Sequence, residues 1–162
     1  MSPELQDEIG LELSQLRSLL DTFSPLLLKV AITPPDAIEI AALAGMLHSF
    51  YNGVENILKR IAVHSGETLP ASTSWHSELL ESMAAPGSSR PAVITRDLLE
   101  RLRSYLGFRH MYRHSYTFQL RWSKMQTLVA GVGETLKELE TSVKVLPSSS
   151  TGDAPDTPAA TH

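Results

Sequence analysis

Ile40, Leu43, Leu47, Phe50, Tyr51, Val54, Ile57, Leu58 and Ile61 recur at spacings of three and four with no proline among them. That period belongs to a helix, and a strand cannot use it. The apolar stripe is broad, so this helix packs against more than one neighbour. The same spacing recurs in Leu5, Ile9, Leu13, Leu16 and Leu20. Period-two alternation is absent from the chain. An all-α bundle is therefore the predicted class.

Local signals divide the chain into four main helices. Ser2-Pro3 supplies an N-cap and a proline at the first helical position, which starts a helix running to about Thr22. Pro25 is expected to break or kink it, and Leu26 to Ile32 can continue as helix beyond the proline. Thr33-Pro34-Pro35-Asp36 opens a second helix, from about Pro34 to His64, with Thr33 as cap and Asp36 in the first turn. A connector rich in Gly, Pro and Ser (65–94) holds a short helix near Trp75 to Met83. Thr95 caps a third long helix to about Leu120, and a fourth runs from about Arg121 to Val145. An up-and-down bundle domain over 1–146 is expected. A disordered tail over 147–162 should follow, because "PSSSTGDAPDTPAATH" has almost nothing apolar to bury.

With 162 residues the chain has the size of one ordinary domain. It has no cysteine, which excludes disulfides and thiol chemistry. The N-terminal stretch lacks the basic flank and continuous apolar core of a signal peptide. No apolar run reaches transmembrane length. A cytoplasmic protein with no membrane contact is the default expectation. The net charge is −4, yet from Arg96 to Lys124 seven basic residues face only two acids, Asp97 and Glu100. Such a segment can hold a polyanion locally, or be a solvated face balanced by acids elsewhere.

Inside that segment lies "RHMYRHSY" (109–116), where Arg-His-x-Tyr occurs twice in succession. On a helical wheel Leu98, Leu99, Leu102 and Leu106 mark the core face, and Arg109, Arg113 and Tyr116 continue it before Leu120 restores its apolar character. His110 should lie over His114, and Tyr112 over Tyr116. Stacked arginines ask for a negative partner. Glu55 is the internal candidate, and a phosphate is the external one. His110 and His114 also have the spacing of two metal ligands on a helix, but the sequence lacks the His-Glu-x-x-His pattern of a hydrolytic zinc site, so no metal or other cofactor is expected. "AGVGET" (130–135) lacks the lysine of a phosphate-binding loop and reads as a close helix contact. Trp75-His76 reads as a packed connector.

Arg109-x4-His114-x-Tyr116 resembles the Arg-x(4–6)-His-x-Tyr motif of HepT-like toxins, ribonucleases of the HEPN superfamily. A second register, Arg103-x6-His110-x-Tyr112, also fits. The resemblance takes in "LHSFYNGVENILKRIA" (47–62), similar to the family's second helix, and "LPASTSWHSELLESMA" (69–84). It implies a homodimer whose motif helices meet at a cleft and cut an RNA substrate without a metal ion. It also implies a cognate MntA-like nucleotidyltransferase antitoxin that transfers AMP to the motif tyrosine, here Tyr116. Arg109 and His114 would then be catalytic, the arginine on the phosphate and the histidine in proton transfer. Arg113, His110 and Glu55 would position the substrate. The alternative is a helical dimer that binds its nucleotidyltransferase, or a nucleotide, and cuts nothing.

Overall fold

The computed structural model describes residues 1–146, and the expected tail at 147–162 lies outside them. The described residues form five α-helices: α1 Pro3–Val30, α2 Ala37–His64, α3 Trp75–Met83, α4 Arg96–Arg113 and α5 Trp122–Lys144. A 3-10 turn at Thr117–Gln119 separates the last two, and there is no strand among the described residues. Four long helices make the bundle. α1 packs on α2, α2 on α4, α4 on α5 and α5 back on α1, while short α3 braces α2 and α4. Ion pairs fix the antiparallel sense. His64 and Arg60 meet Glu8 and Lys29 meets Glu39 between α1 and α2, Arg17 meets Glu140 between α1 and α5, and Arg101 meets Glu138 between α4 and α5.

The core follows the sequence period. Leu43, Leu47, Phe50, Tyr51, Val54, Ile57, Leu58 and Ile61 of α2 are all buried, together with Leu5, Ile9, Leu13 and Leu16 of α1 and Leu98, Leu99 and Leu102 of α4. Each large apolar side chain removed from water contributes about 1.5–3 kcal/mol, so this shared interior holds the helices in place. α1 and α2 approach closely at Gly53, where an added Cβ would lie 2.6 Å from Leu16 Cδ2. Gly131 of the "AGVGET" stretch faces Tyr105, whose hydroxyl donates to the Leu128 carbonyl at 2.7 Å. In the connector, buried Arg90 donates to the carbonyls of Ser82, Ala85 and Pro91 and to Glu67.

Three boundaries differ from the sequence expectation. α1 continues through Pro25 to Val30. Pro25 and Asp21 are both exposed, so the carbonyl that loses its hydrogen bond faces water. α2 begins at Ala37, and its cap is Asp36, not Thr33. Asp36 Oδ1 accepts from the Glu39 N–H at 2.8 Å, and Glu39 Oε1 accepts from the Asp36 N–H at 3.2 Å. This reciprocal box satisfies two orphan donors, and Pro35 disfavours helix at the residue before it.

The third difference bears on the site. α4 stops at Arg113, with His114 as C-cap, and does not run on to Leu120. Tyr116 therefore does not share a helix face with Arg109 and Arg113, nor does it lie over Tyr112. "HSYTFQ" is poor helix-forming sequence, and its own contacts compete with helix. Gln119 Oε1 accepts from the Tyr116 N–H at 3.2 Å, and the Gln119 N–H donates to the Tyr116 carbonyl at 2.9 Å. The chain is extended at Arg121 before α5 starts.

Candidate functional site at the end of helix α4

The last two turns of α4 carry Arg109, His110 and Arg113, and its C-cap is His114. Arg109 is half-buried against α2. Its Nε donates to Asn52 Oδ1 at 2.7 Å. An arginine can only donate, so this contact fixes which end of the Asn52 amide is oxygen. Asn52 Nδ2 then donates to His48 Nε2, 3.1 Å away. His48 must therefore keep Nε2 unprotonated and carry its proton on Nδ1, an atom that is buried without a hydrogen-bond partner among the described residues. Burial, and then the nearby charges of Arg109 and Arg113, hold His48 below the ordinary imidazole range, in keeping with this neutral tautomer. The His48 ring also packs against Tyr112, with centroids 5.1 Å apart.

Asn52 thus grips Arg109 by its inner nitrogen, and the two terminal nitrogens have no partner among the described residues. A guanidinium held this way presents a planar fork to an oxyanion. His110 and His114 lie beyond it in edge-to-face contact at 4.9 Å, both exposed. Arg113 is exposed and has no carboxylate partner among the described residues. Arg103, the arginine of the second register, is tied to Glu81 and Glu100.

Glu55 lies elsewhere in the seam. Its Oε2 is 2.6 Å from His76 Nδ1 of α3, and it makes no ion pair with Arg109 or Arg113 among the described residues. The negative charge expected to face the arginines is thus given to His76, and Arg109 is held by a neutral amide. His76 stacks on Trp75 at 3.7 Å, and Lys59 Nζ lies 5.8 Å over the Trp75 ring. Tyr51, buried in α2, has its hydroxyl pKa raised by burial and by Glu55, against the opposing pull of Arg109. His48, Asn52, Glu55 and Lys59 therefore form one polar stripe along α2, spaced at four, three and four residues.

Tyr112 and Tyr116 differ in setting. Tyr112 is half-buried between His48 and Phe108, its hydroxyl facing Gly45 of α2. Tyr116 is 72% exposed on the turn after the C-cap, stacked on Phe118 at 5.5 Å. His48, Asn52, His76 and Phe118 are the residues that the wheel of α4 alone could not supply. The signal for the first two was available: an imidazole and an amide one turn apart on α2, beside its broad apolar stripe. Among the described residues no cluster of three or more His, Asp or Glu could hold a metal, and no helix is long and apolar enough to cross a membrane.

An arginine fork and a histidine pair thus lie at the end of a bundle helix, with Asn52 of the neighbouring long helix behind the arginine. The chain belongs to the family described as HepT-like protein, whose model matches residues 42–148. That membership suggests a toxin of the HEPN type and ribonuclease activity. No curated protein and no solved structure matches the chain.

Proposed function

We propose that this protein is the toxin of a toxin–antitoxin pair, a cytoplasmic, metal-independent endoribonuclease that works as a homodimer. The observation that carries the reading is Arg109, gripped through Nε by Asn52 with its fork free and with His114 at the end of the same helix. RNA brings its own nucleophile. A histidine takes the 2′-hydroxyl proton, the 2′-oxygen forms a bond to phosphorus, and the bond from phosphorus to the 5′-oxygen breaks. The leaving oxygen takes a proton from a second histidine. Arg109 stabilises the charge that builds on the phosphorane. One His114 from each subunit across a two-fold axis supplies both a base and an acid. His110 and Arg113 position the strand. A cognate MntA-like nucleotidyltransferase neutralises the toxin by moving AMP onto Tyr116.

The direct test is cleavage in excess chelator. Purified protein is expected to cut RNA there, to leave 2′,3′-cyclic phosphate ends, and to spare a substrate with 2′-deoxyribose at the cut position. Activity lost to chelator and restored by zinc would move His110 and His114 to a metal-ligand role.

Asn52 gives a second expected outcome. Asn52→Ala frees the Arg109 guanidinium and leaves His48 without its donor, while Asn52 itself is only half-buried. Losing a charge-assisted hydrogen bond of about 1.5–3 kcal/mol should lower kcat/KM roughly 10–100-fold at unchanged helical content. Steady-state kinetics alongside circular dichroism would check it, and an unchanged rate would remove Asn52 from the mechanism.

A further inference from the structure

Tyr116 and Phe118 are an aromatic pair that the cleavage chemistry leaves unused. Their rings lie nearly parallel, 13° apart at 5.5 Å, and they are 72% and 82% exposed. A folded chain does not ordinarily leave two adjoining aromatic faces in water without use. The turn that carries them is not loose, because Gln119 closes it with two hydrogen bonds to the Tyr116 backbone.

The sequence around the pair carries charge of one sign. No acidic residue occurs between Glu100 and Glu134. Of the cations in that interval, Arg101 is paired with Glu138, and Arg103 with Glu81 and Glu100. Both lie in the first half of α4, away from the turn. Arg113, Arg121 and Lys124, which flank the turn, have no carboxylate partner among the described residues, and Arg109 has only the neutral Asn52. The neutralised cations therefore belong to the first half of α4, and those without a carboxylate partner among the described residues flank the aromatic pair along the chain.

Free cations beside exposed ring faces match one kind of ligand. Phosphates follow the cations, and unpaired bases stack on the rings. A duplex, whose bases already stack on one another, offers the rings nothing. We propose that Tyr116 and Phe118 form a stacking platform for a base of single-stranded RNA next to the cleaved phosphate, with Phe118 presenting the outer face. This rests on the ribonuclease reading above and extends it to the substrate class, an unpaired strand. It also gives the site tolerance of base identity, because every base has a π-face.

The test uses the full chain and a fluorescent single-stranded RNA of 2′-O-methyl riboses, which cannot be cut. Phe118→Leu and Phe118→Ala are expected to weaken binding about tenfold, the loss of roughly one stacked base. Phe118→Trp is expected to keep the affinity, which shows that a flat ring is what the strand needs. The corresponding duplex should bind all four proteins alike. On cleavable RNA the Phe118→Leu loss should fall on KM. Wild-type affinity and KM in folded Phe118→Leu, while RNA is still cut, would overturn the platform alone. So would an equal loss on duplex, or loss of self-association in sedimentation, which would make the pair a protein contact. A wild-type protein that neither binds nor cuts RNA would instead overturn the ribonuclease reading, and the platform with it.

Discussion

Arg109→Ala and His114→Ala are each expected to reduce RNA cleavage at least a hundredfold and to relieve any growth arrest that the protein causes when expressed alone. The magnitudes come from the roles. A positioned proton-transfer group contributes about 10²–10⁴-fold, and a preorganised charge on the developing oxyanion about 10²–10³-fold. His114 is exposed at the C-cap, so alanine there removes chemistry and little packing. Arg109 is half-buried, and its loss also leaves the Asn52 oxygen without its donor, which water can replace at this edge of the bundle. Arg109→Lys separates charge from shape. Lysine keeps the charge but has neither the Nε that Asn52 holds nor the planar fork, so it should recover little of the rate. Initial rates on RNA, with circular dichroism as the control for folding, decide the matter. A folded His114→Ala that cuts at the original rate would leave a binding protein of the same architecture.

Much of the bundle was legible because the apolar period of α1, α2 and α5 is the same signal that drives their burial. The short α3 was legible because Trp75 to Met83 is a helical pattern between breakers. The end of α4 was not. Leu120 and the apolar residues after Met125 restore the pattern so soon after Arg113 that a single helix fits the wheel. What stops α4 is a local contest, in which Gln119 satisfies the Tyr116 backbone from both sides, and periodicity does not report such contacts. The partner of Arg109 was hidden for a different reason. Charge singled out Glu55, but the register between α2 and α4 sets Asn52 opposite Arg109, while α3 brings His76 to Glu55. A helical wheel orders residues on one helix and is silent about which residue faces it from the next. That Arg109 and His114 fall at the end of one helix was legible all the same, because it needs no knowledge of a neighbouring helix.

Co-expression with the cognate nucleotidyltransferase is expected to raise the mass of this protein by one or more AMP units, all on the peptide that contains Tyr116. The transfer forms a bond from the tyrosine oxygen to the α-phosphorus of ATP and releases pyrophosphate, so the acceptor oxygen must be open to a second enzyme. Tyr116 meets that demand at 72% exposure on the turn after α4. Tyr112 does not, because its ring is packed between His48 and Phe108 and its hydroxyl faces Gly45. The other half of the second register is also compromised, since Arg103 is neutralised by Glu81 and Glu100. Once attached, the phosphodiester adds a negative charge on the turn flanked in sequence by Arg113 and Arg121, which have no carboxylate partner among the described residues, and charge-assisted hydrogen bonds from them are expected to hold it. The cations that would take the RNA phosphates are then occupied, and the adenosine covers the approach to the histidine pair, so activity is lost without refolding. Tyr116→Phe removes the acceptor oxygen and keeps the ring stacked on Phe118. It should therefore still cut RNA yet escape neutralisation, and growth arrest should persist in the presence of the antitoxin. Intact-mass and peptide mass spectrometry read the outcome directly. Added mass on the Tyr112 peptide would transfer the catalytic pair to Arg103 and His110, and would require the Glu81 and Glu100 ion pairs to open before the enzyme could work.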